Sequence, residues 1–267
     1  MEMKKYVSFN HKEANFRLST PGEAVLISSI IKNRKLLDRF IIEVPDFAEA
    51  LSPLMDSVLK NGSTGSSSFL HIPEIAERMH KASLLTGLGP MASVAGGFAQ
   101  MAVEAAQTEA AEETVHAEDS DRIVVENGGD IVLFSKNEII LGIYPGSGKL
   151  KNRLAFRIPP TEKPMAICSS SSTMGHSLSF GKCDLAVVVG QDGFTADSGA
   201  TLACNLVKTE DDIQPTLEKI STIPGIEGVL IIMGDKIGMA GKLPTLIKNA
   251  DPELETKVTR DLNSGYR

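Results

Sequence analysis

The stretch from 123 to 134 constrains the fold of this chain more than any other. Two apolar runs, 123–125 and 131–134, flank Glu126, Asn127, Gly128, Gly129 and Asp130. Asn-Gly is a tight-turn signal because both residues tolerate positive φ, so the pair predicts a β-hairpin. A third run at 138–143 predicts another strand after a short polar break. Strands joined by so few residues pair antiparallel.

The remaining periodicities fit that frame. Strands are predicted at 5–9 and 15–19, around a polar turn at 10–12, and at 24–28. Further apolar runs lie at 155–157, 165–168, 185–189 and 228–233. Ile30, Ile31, Leu36, Leu37, Phe40 and Ile41 recur at helical spacing, and 45–59 continues as a second helical stretch. Helices are predicted at 73–86, 197–208 and 213–220, the first with proline in its first turn. Residues 87–106 open with a structure-breaking GLGP and continue Ala-rich, with Gly96 and Gly97 adjacent. Inside a helix each glycine costs roughly 1 kcal/mol against alanine, which close helix packing or close ligand approach would justify. Together these runs predict an α+β fold with mainly antiparallel sheets.

Composition narrows the function. A formal charge of −7 over 267 residues argues against general nucleic-acid binding. Much of the acid (Glu109, Glu112, Glu113, Glu118, Asp119, Asp121) reads as a solvated helix end and loop. No run suits a membrane span and the N-terminus lacks a signal-peptide core, so the expected location is cytoplasmic. Cys168, Cys183 and Cys204 form no zinc or redox motif, and a disulfide framework is not expected. Residues 1–250 read as one domain and 251–267 as a charged tail.

Three segments carry candidate chemistry. The first reads CSSSSTMGHSLSFGKCD and places Ser169, Ser170, Ser171, Ser172, Thr173, Ser177 and Ser179 within eleven residues, beside Gly175 and His176. Apolar strands enclose it, so it reads as an ordered loop offering small donors and one imidazole to a phosphate or carboxylate; Asp184 closes it. The second is the 126–130 turn. It is either a plain hairpin turn or a place where bare glycine backbone meets a ligand, with Asn127, Gly128, Gly129 and Asp130 as the contacts. The third is TADSGATLACN at 195–205, read as a helix start with Asp197 near its N-terminus. Asp197 there can cap N–H groups. Thr201 and Asn205 follow at four-residue steps on the same face, and a carboxylate with hydroxyl and carbonyl oxygens suits Mg²⁺. The segment 142–151, GIYPGSGKLK, fails as a P-loop: its first glycine is one residue too distant and Leu150 holds the required Ser/Thr place. Cys168 and Cys183 read as buried small residues.

GPMASVAG, VENGGD, GHSLSFGKCD and ADSGAT occur here in the order of the motifs of an uncharacterised prokaryotic family. That family is common in methanogenic archaea and is a compact relative of the ApbE flavin transferases. The chain resembles it over nearly its whole length. The resemblance implies an ApbE-like, T-fold-related fold: antiparallel sheets with helix pairs on one face, in two pseudo-duplicated, intertwined halves around a cleft. It implies NGGD near a flavin nucleotide (FAD or FMN) and Mg²⁺ at Asp197 and Thr201. It also implies a backbone carbonyl from 93–99 near the metal. ApbE proteins carry lysine where this chain has Gly96, and a longer region where the serine loop stands.

Three functions compete on this reading. The first is a protein that binds a phosphorylated small molecule without ApbE-type transfer, in cofactor or sulfur metabolism. The second is a Mg²⁺-dependent flavin transferase or FAD pyrophosphatase, with His176 and Asp197 as its catalytic groups. The third is a structural protein. The resemblance also implies association into a homodimer.

Overall fold

Every strand pair among the described residues is antiparallel. The computed structural model describes residues 6–12, 14–19, 23–61, 72–112, 121–146, 149–172 and 181–254. Strands β1 (Val7–His11) and β2 (Ala14–Ser19) lead into helices α1 (Glu23–Glu43), α2 (Asp46–Glu49), α3 (Asp56–Asn61), α4 (Glu74–Thr86) and α5 (Val94–Glu112). Six strands follow: β3 (Arg122–Asn127), β4 (Asp130–Ser135), β5 (Ile139–Ile143), β6 (Leu154–Ile158), β7 (Met165–Ser170) and β8 (Leu185–Gly190). Helices α6 (Gly193–Leu206) and α7 (Ile213–Ser221) precede β9 (Ile226–Met233), β10 (Lys236–Gly241) and β11 (Thr245–Lys248).

Eight strands form one sheet in the order β1-β2-β3-β4-β7-β8-β9-β10, and β11-β6-β5 form a second sheet. Period-two alternation assigns the two faces of the large sheet. Val125, Val132, Ala166, Cys168, Ala186, Val188, Val229 and Ile231 join the helices in one core. Their neighbours Val124, Ile131, Leu133, Ile167, Val187, Val189, Leu230 and Ile232 join Phe156 and Ile158 of the small sheet in a second. The architecture is therefore three layers: helices, large sheet, small sheet. β8 is buried at all six positions, as a strand covered on both faces must be. Three helix-facing residues of β7 and β8 are small (Ala166, Cys168, Ala186), which lets the Ala-rich α6 lie close to the sheet.

The α+β class with antiparallel sheets and helices on one face of the large sheet is as expected. Three details differ. The expected strand at 24–28 is the first turn and a half of α1, because Leu26, Ile30, Leu37 and Phe40 bury one helical face without a break. The expected helix at 45–59 divides into α2 and α3, with Pro53 in the non-helical stretch between. The strands β10 and β11 were not anticipated; β10 reads KIGMAG, whose glycines mask the alternation. At the C-terminal end Leu254 is buried and reaches Gly142, so packing extends past residue 250. Among the described residues no single helix is long and apolar enough to cross a membrane.

Candidate functional site

Helices α5 and α6 cross at two glycines, Gly96 and Gly193. A Cβ on Gly96 would lie 2.3 Å from the Gly193 carbonyl oxygen, and one on Gly193 would lie 2.5 Å from the Gly96 oxygen. Helix packing thus accounts for Gly96, and Gly97 packs in the same way on the Phe194 ring. A half-buried polar relay holds the crossing. The Gly193 N–H donates to Gln100 Oε1 at 2.9 Å, and Gln100 Nε2 donates to Glu104 at 2.8 Å. Arg78 grips Glu104 through both guanidinium nitrogens, at 2.6 and 3.0 Å, and reaches Asp192 at 2.9 Å. Asp192 caps α6 by accepting from the Thr195 N–H at 3.1 Å.

That cap corrects the expectation for Asp197. The helix begins at Gly193, so Asp197 stands in its second turn and does not cap it. Instead its Oδ2 accepts from the Gly96 N–H at 2.8 Å. Asp197 therefore serves amides at the N-terminus of a different helix, α5, where a carboxylate is favoured.

The NGGD turn lies beside this crossing. Asn127 and Asp130 pair directly across Gly128 and Gly129, whose φ values are +61° and +104°. The turn is a tight hairpin, yet its flanking polar side chains are buried, with Asn127 5% and Asp130 7% exposed. A turn that only reverses the chain leaves such groups in water. Here Asn127 Nδ2 donates to the Ala95 carbonyl at 3.2 Å, tying the turn to the start of α5. Asp130 Oδ1 accepts from the Ser169 N–H at 3.2 Å, and the Ser169 hydroxyl donates to the Gly129 carbonyl at 3.0 Å.

Two carboxylates thus share one dry region. Burial and then the charge of Asp197 push Asp130 well above the usual carboxylate range, against hydrogen bonds from Ser169 and Cys168. Burial pushes Asp197 up to about 7, against hydrogen bonds from the Gly96 and Ala95 amides. Neither has an ion-pair partner among the described residues. Carboxylates so placed hold a proton between them or take a cation. Among the described residues no cluster of three or more His, Cys, Asp or Glu could hold a metal. A hard cation at Asp197 would complete its shell with neutral oxygens, and Thr201, one turn along α6, carries one. The residues present fit Mg²⁺ in that sense.

The structure places the other candidates as follows. Ser170 is buried at the end of β7, and Ser171 and Ser172 are half-buried just beyond it. Thr173, Gly175, His176, Ser177 and Ser179 lie outside the described residues. Asp184 is committed to a turn: its Oδ2 accepts from the Gly234 N–H at 2.6 Å. Thr201 and Asn205 are half-buried on α6. Lys149 pairs with Asp235, in keeping with a solvated lysine in place of a P-loop. Sequence reading places Ser169 in the hydroxyl run but misses Cys168 and the Ala95–Gly96 amides as parts of this constellation. Their contributions come through backbone groups and a buried thiol, which side-chain patterns do not advertise.

The family model described as AbpE bacteria matches residues 2–221. A UPF0280 protein of Methanocaldococcus jannaschii is 34% identical over 245 residues, covering 89% of this chain and 91% of that protein. A UPF0280 protein of Archaeoglobus fulgidus is 36% identical over 247 residues, covering 89% and 92%. Among solved structures, the ApbE protein of Thermotoga maritima aligns with a TM-score of 0.47 at 14% identity, over 89% of this chain and 97% of that one. The flavin transferase ApbE of Vibrio cholerae aligns with a TM-score of 0.47 at 12% identity, over 89% and 96%. The chain belongs to the UPF0280 family of ApbE-like proteins.

Proposed function

We propose that this protein binds a phosphorylated small molecule, in the first place a flavin nucleotide, with Mg²⁺ at Asp197, and does so without ApbE-type flavin transfer. The observation that carries the reading is the pair of buried carboxylates, Asp130 and Asp197, beside a glycine turn and the start of α5. Burial raises both pKa values, an arrangement that clusters at functional sites. Asp197 and Thr201 would hold the cation, which when bound supplies charge for phosphate oxygens. The amides at Gly96 and Ala95 orient the Asp197 carboxylate. Gly128 has open space where a side chain would stand, so backbone there is accessible to a ligand. Ser170, Ser171 and Ser172 supply further donors. The flavin assignment draws on family membership.

The absence of transfer is supported by Gly96. Where ApbE proteins carry lysine, this chain has a Cα pressed against the Gly193 carbonyl, with no room for any side chain. The competing reading, Mg²⁺-dependent FAD cleavage or transfer, is favoured by Asp197 itself, which near neutral pH can take or release a proton. Titration of FAD and FMN with and without Mg²⁺, followed by flavin fluorescence, separates the readings. Mg²⁺-dependent binding without AMP release is the expected result, and Asp197→Asn removes the Mg²⁺ effect. Catalytic release of AMP would replace this reading with the enzymatic one. No binding of either flavin would overturn both.

A further inference from the structure

Helix α1 buries Leu26, Ile30, Leu37 and Phe40, and its opposite side is open. That side holds a groove of about 680 Å³, lined by Ile27, Ile31 and Leu36 and rimmed by Lys32, Lys35 and Arg39. The three apolar residues are half-buried and the three cations are exposed. Arg34 of the same helix pairs with Asp38 at 2.9 Å. Lys32, Lys35 and Arg39 have no ion pair among the described residues. Past the groove the chain changes sign. Glu43, Asp46 and Glu49 follow at the end of α1 and on α2, all exposed. Phe40 and Phe47 meet edge to face at 5.1 Å and dock α2 on α1, with the acids left outside. Ile42, Leu51 and Met55 stand among and just beyond these acids, 77%, 69% and 71% exposed. They are the three most exposed large apolar side chains among the described residues.

The charges nest about the Phe40–Ile41 peptide. Arg39 with Glu43 is innermost, Lys35 with Asp46 comes next, and Lys32 with Glu49 is outermost. A surface ordered in this way is complementary to itself when reversed. A two-fold axis demands that of an isologous contact. We propose that the outer face of α1 and α2 is a homodimer interface, on which a second copy of this chain lies antiparallel. Each cation then faces an acid of the second copy. The same reversal turns Leu51 and Met55 toward the Ile31 and Ile27 end of the other copy's groove, and Ile42 toward the axis.

A second copy fits this face better than other occupants do. An anionic membrane or an acidic protein would gain from Lys32, Lys35 and Arg39 but would be repelled by Glu43, Asp46 and Glu49 beside them. A second copy satisfies both signs at once. Apolar burial supplies the affinity, because exposed apolar side chains grouped within a polar rim mark an association surface. The charge pairs fix register and suppress other alignments. The interface uses no residue of the carboxylate site, so it does not rest on the flavin reading.

Sedimentation equilibrium of the full-length protein across concentration and salt tests this. The expected result is a monomer–dimer equilibrium with no larger species. Its Kd is expected to rise about tenfold or more between about 0.05 and about 0.5 M salt. Reversing the cations (Lys32→Glu, Lys35→Glu, Arg39→Glu) gives a monomer, and so does reversing the acids (Glu43→Lys, Asp46→Lys, Glu49→Lys). Mixing the two variants restores a dimer, because every charge again meets its opposite. Ile42→Asp weakens the wild-type dimer about tenfold or more. Met239→Asp, at an exposed position on the sheet edge, leaves it unchanged. Circular dichroism shows whether the triple variants fold; if either does not, the salt response, Ile42→Asp and Met239→Asp decide. A wild type that stays monomeric would overturn the proposal, whether or not it binds vesicles of anionic lipid. A dimer that survives both reversals, folded variants that do not recover on mixing, or dissociation by Met239→Asp would also overturn it. Open-ended polymers would rule out the two-fold arrangement.

Discussion

The Asp197 carboxylate accepts a hydrogen bond from the Gly96 N–H at 2.8 Å, joining two helices 101 positions apart in sequence. The bond orients a side chain whose charge the fold disfavours. Burial raises the pKa of Asp197 from 3.8 to about 7, so the folded state favours the protonated form. The contribution to stability is complete below pH 3.8 and is lost as pH rises through 7. Asp197→Asn keeps an acceptor for Gly96 and removes the titration. The variant is expected to match wild type near pH 4 and to exceed it at pH 8. At about 1.4 kcal/mol per unit, the gain is at most on the order of 4 kcal/mol. Melting temperatures across that range check this, and a wild-type advantage at pH 8 in metal-free buffer would contradict it.

Glycines at the crossing and at the turn behave differently on substitution. Gly96→Ala puts a methyl 2.3 Å from a backbone oxygen that cannot yield without moving α6. The expected loss is about 3 kcal/mol or more, read by urea denaturation. Gly128→Ala meets nothing within 4 Å, and its cost comes only from a φ of +61°. That strain is worth about 1 kcal/mol. If the two variants lose equal stability, the helix crossing is looser than described.

The strands around NGGD were legible because alternation and a tight turn are local signals. The hairpin, the flanking strands and most helices follow from them. The same locality limited the rest. Asp197 was singled out correctly as a polar residue in a helix fit for burial, but its partner amide belongs to α5, and no local pattern links the two. Asp184 and Asp130 look alike in sequence, each a carboxylate beside an apolar strand. One is buried beside Asp197 and the other spans a turn to Gly234. The register of β8 against β9 places Asp184, because Leu185 faces Ile232, while Asp130 is placed by the hairpin and by Ser169. The α1 error has the opposite cause: a short β-branched run outweighed a helical period that becomes visible only over twenty residues.

Arg78 joins three helices. Its guanidinium binds Glu104 bidentately, reaches Asp192 and lies 4.5 Å from the centre of the Phe194 ring. Burial opposes its charge, and the two carboxylates more than offset that, so its pKa is raised. Arg78→Met leaves Glu104 and Asp192 without their cation and is expected to cost about 2–3 kcal/mol. Arg78→Lys recovers little, because one ammonium cannot occupy both fork positions. Chemical denaturation of the two variants checks this; full recovery by lysine would show that charge alone matters there.

The contrast between Asp184 and Asp130 gives a test of the site that does not depend on identifying turnover. Asp184 donates nothing to the buried region; it accepts from the Gly234 N–H at the exposed β9–β10 turn. Asp184→Ala therefore costs about 1 kcal/mol in stability, the worth of one such hydrogen bond, and leaves FAD affinity with Mg²⁺ unchanged. Asp130 sits against Ser169 and feels the charge of Asp197. Asp130→Asn keeps the size and the acceptor for the Ser169 N–H while removing one of two buried charges. Stability is expected to hold or rise at pH 8, because burial disfavours the charge that is lost. Mg²⁺-dependent FAD binding is expected to weaken, because the cation loses half of the anionic charge that favours it. Parallel fluorescence titrations of the two variants decide the matter: equal loss, or loss only in Asp184→Ala, would move the ligand to the far end of β8.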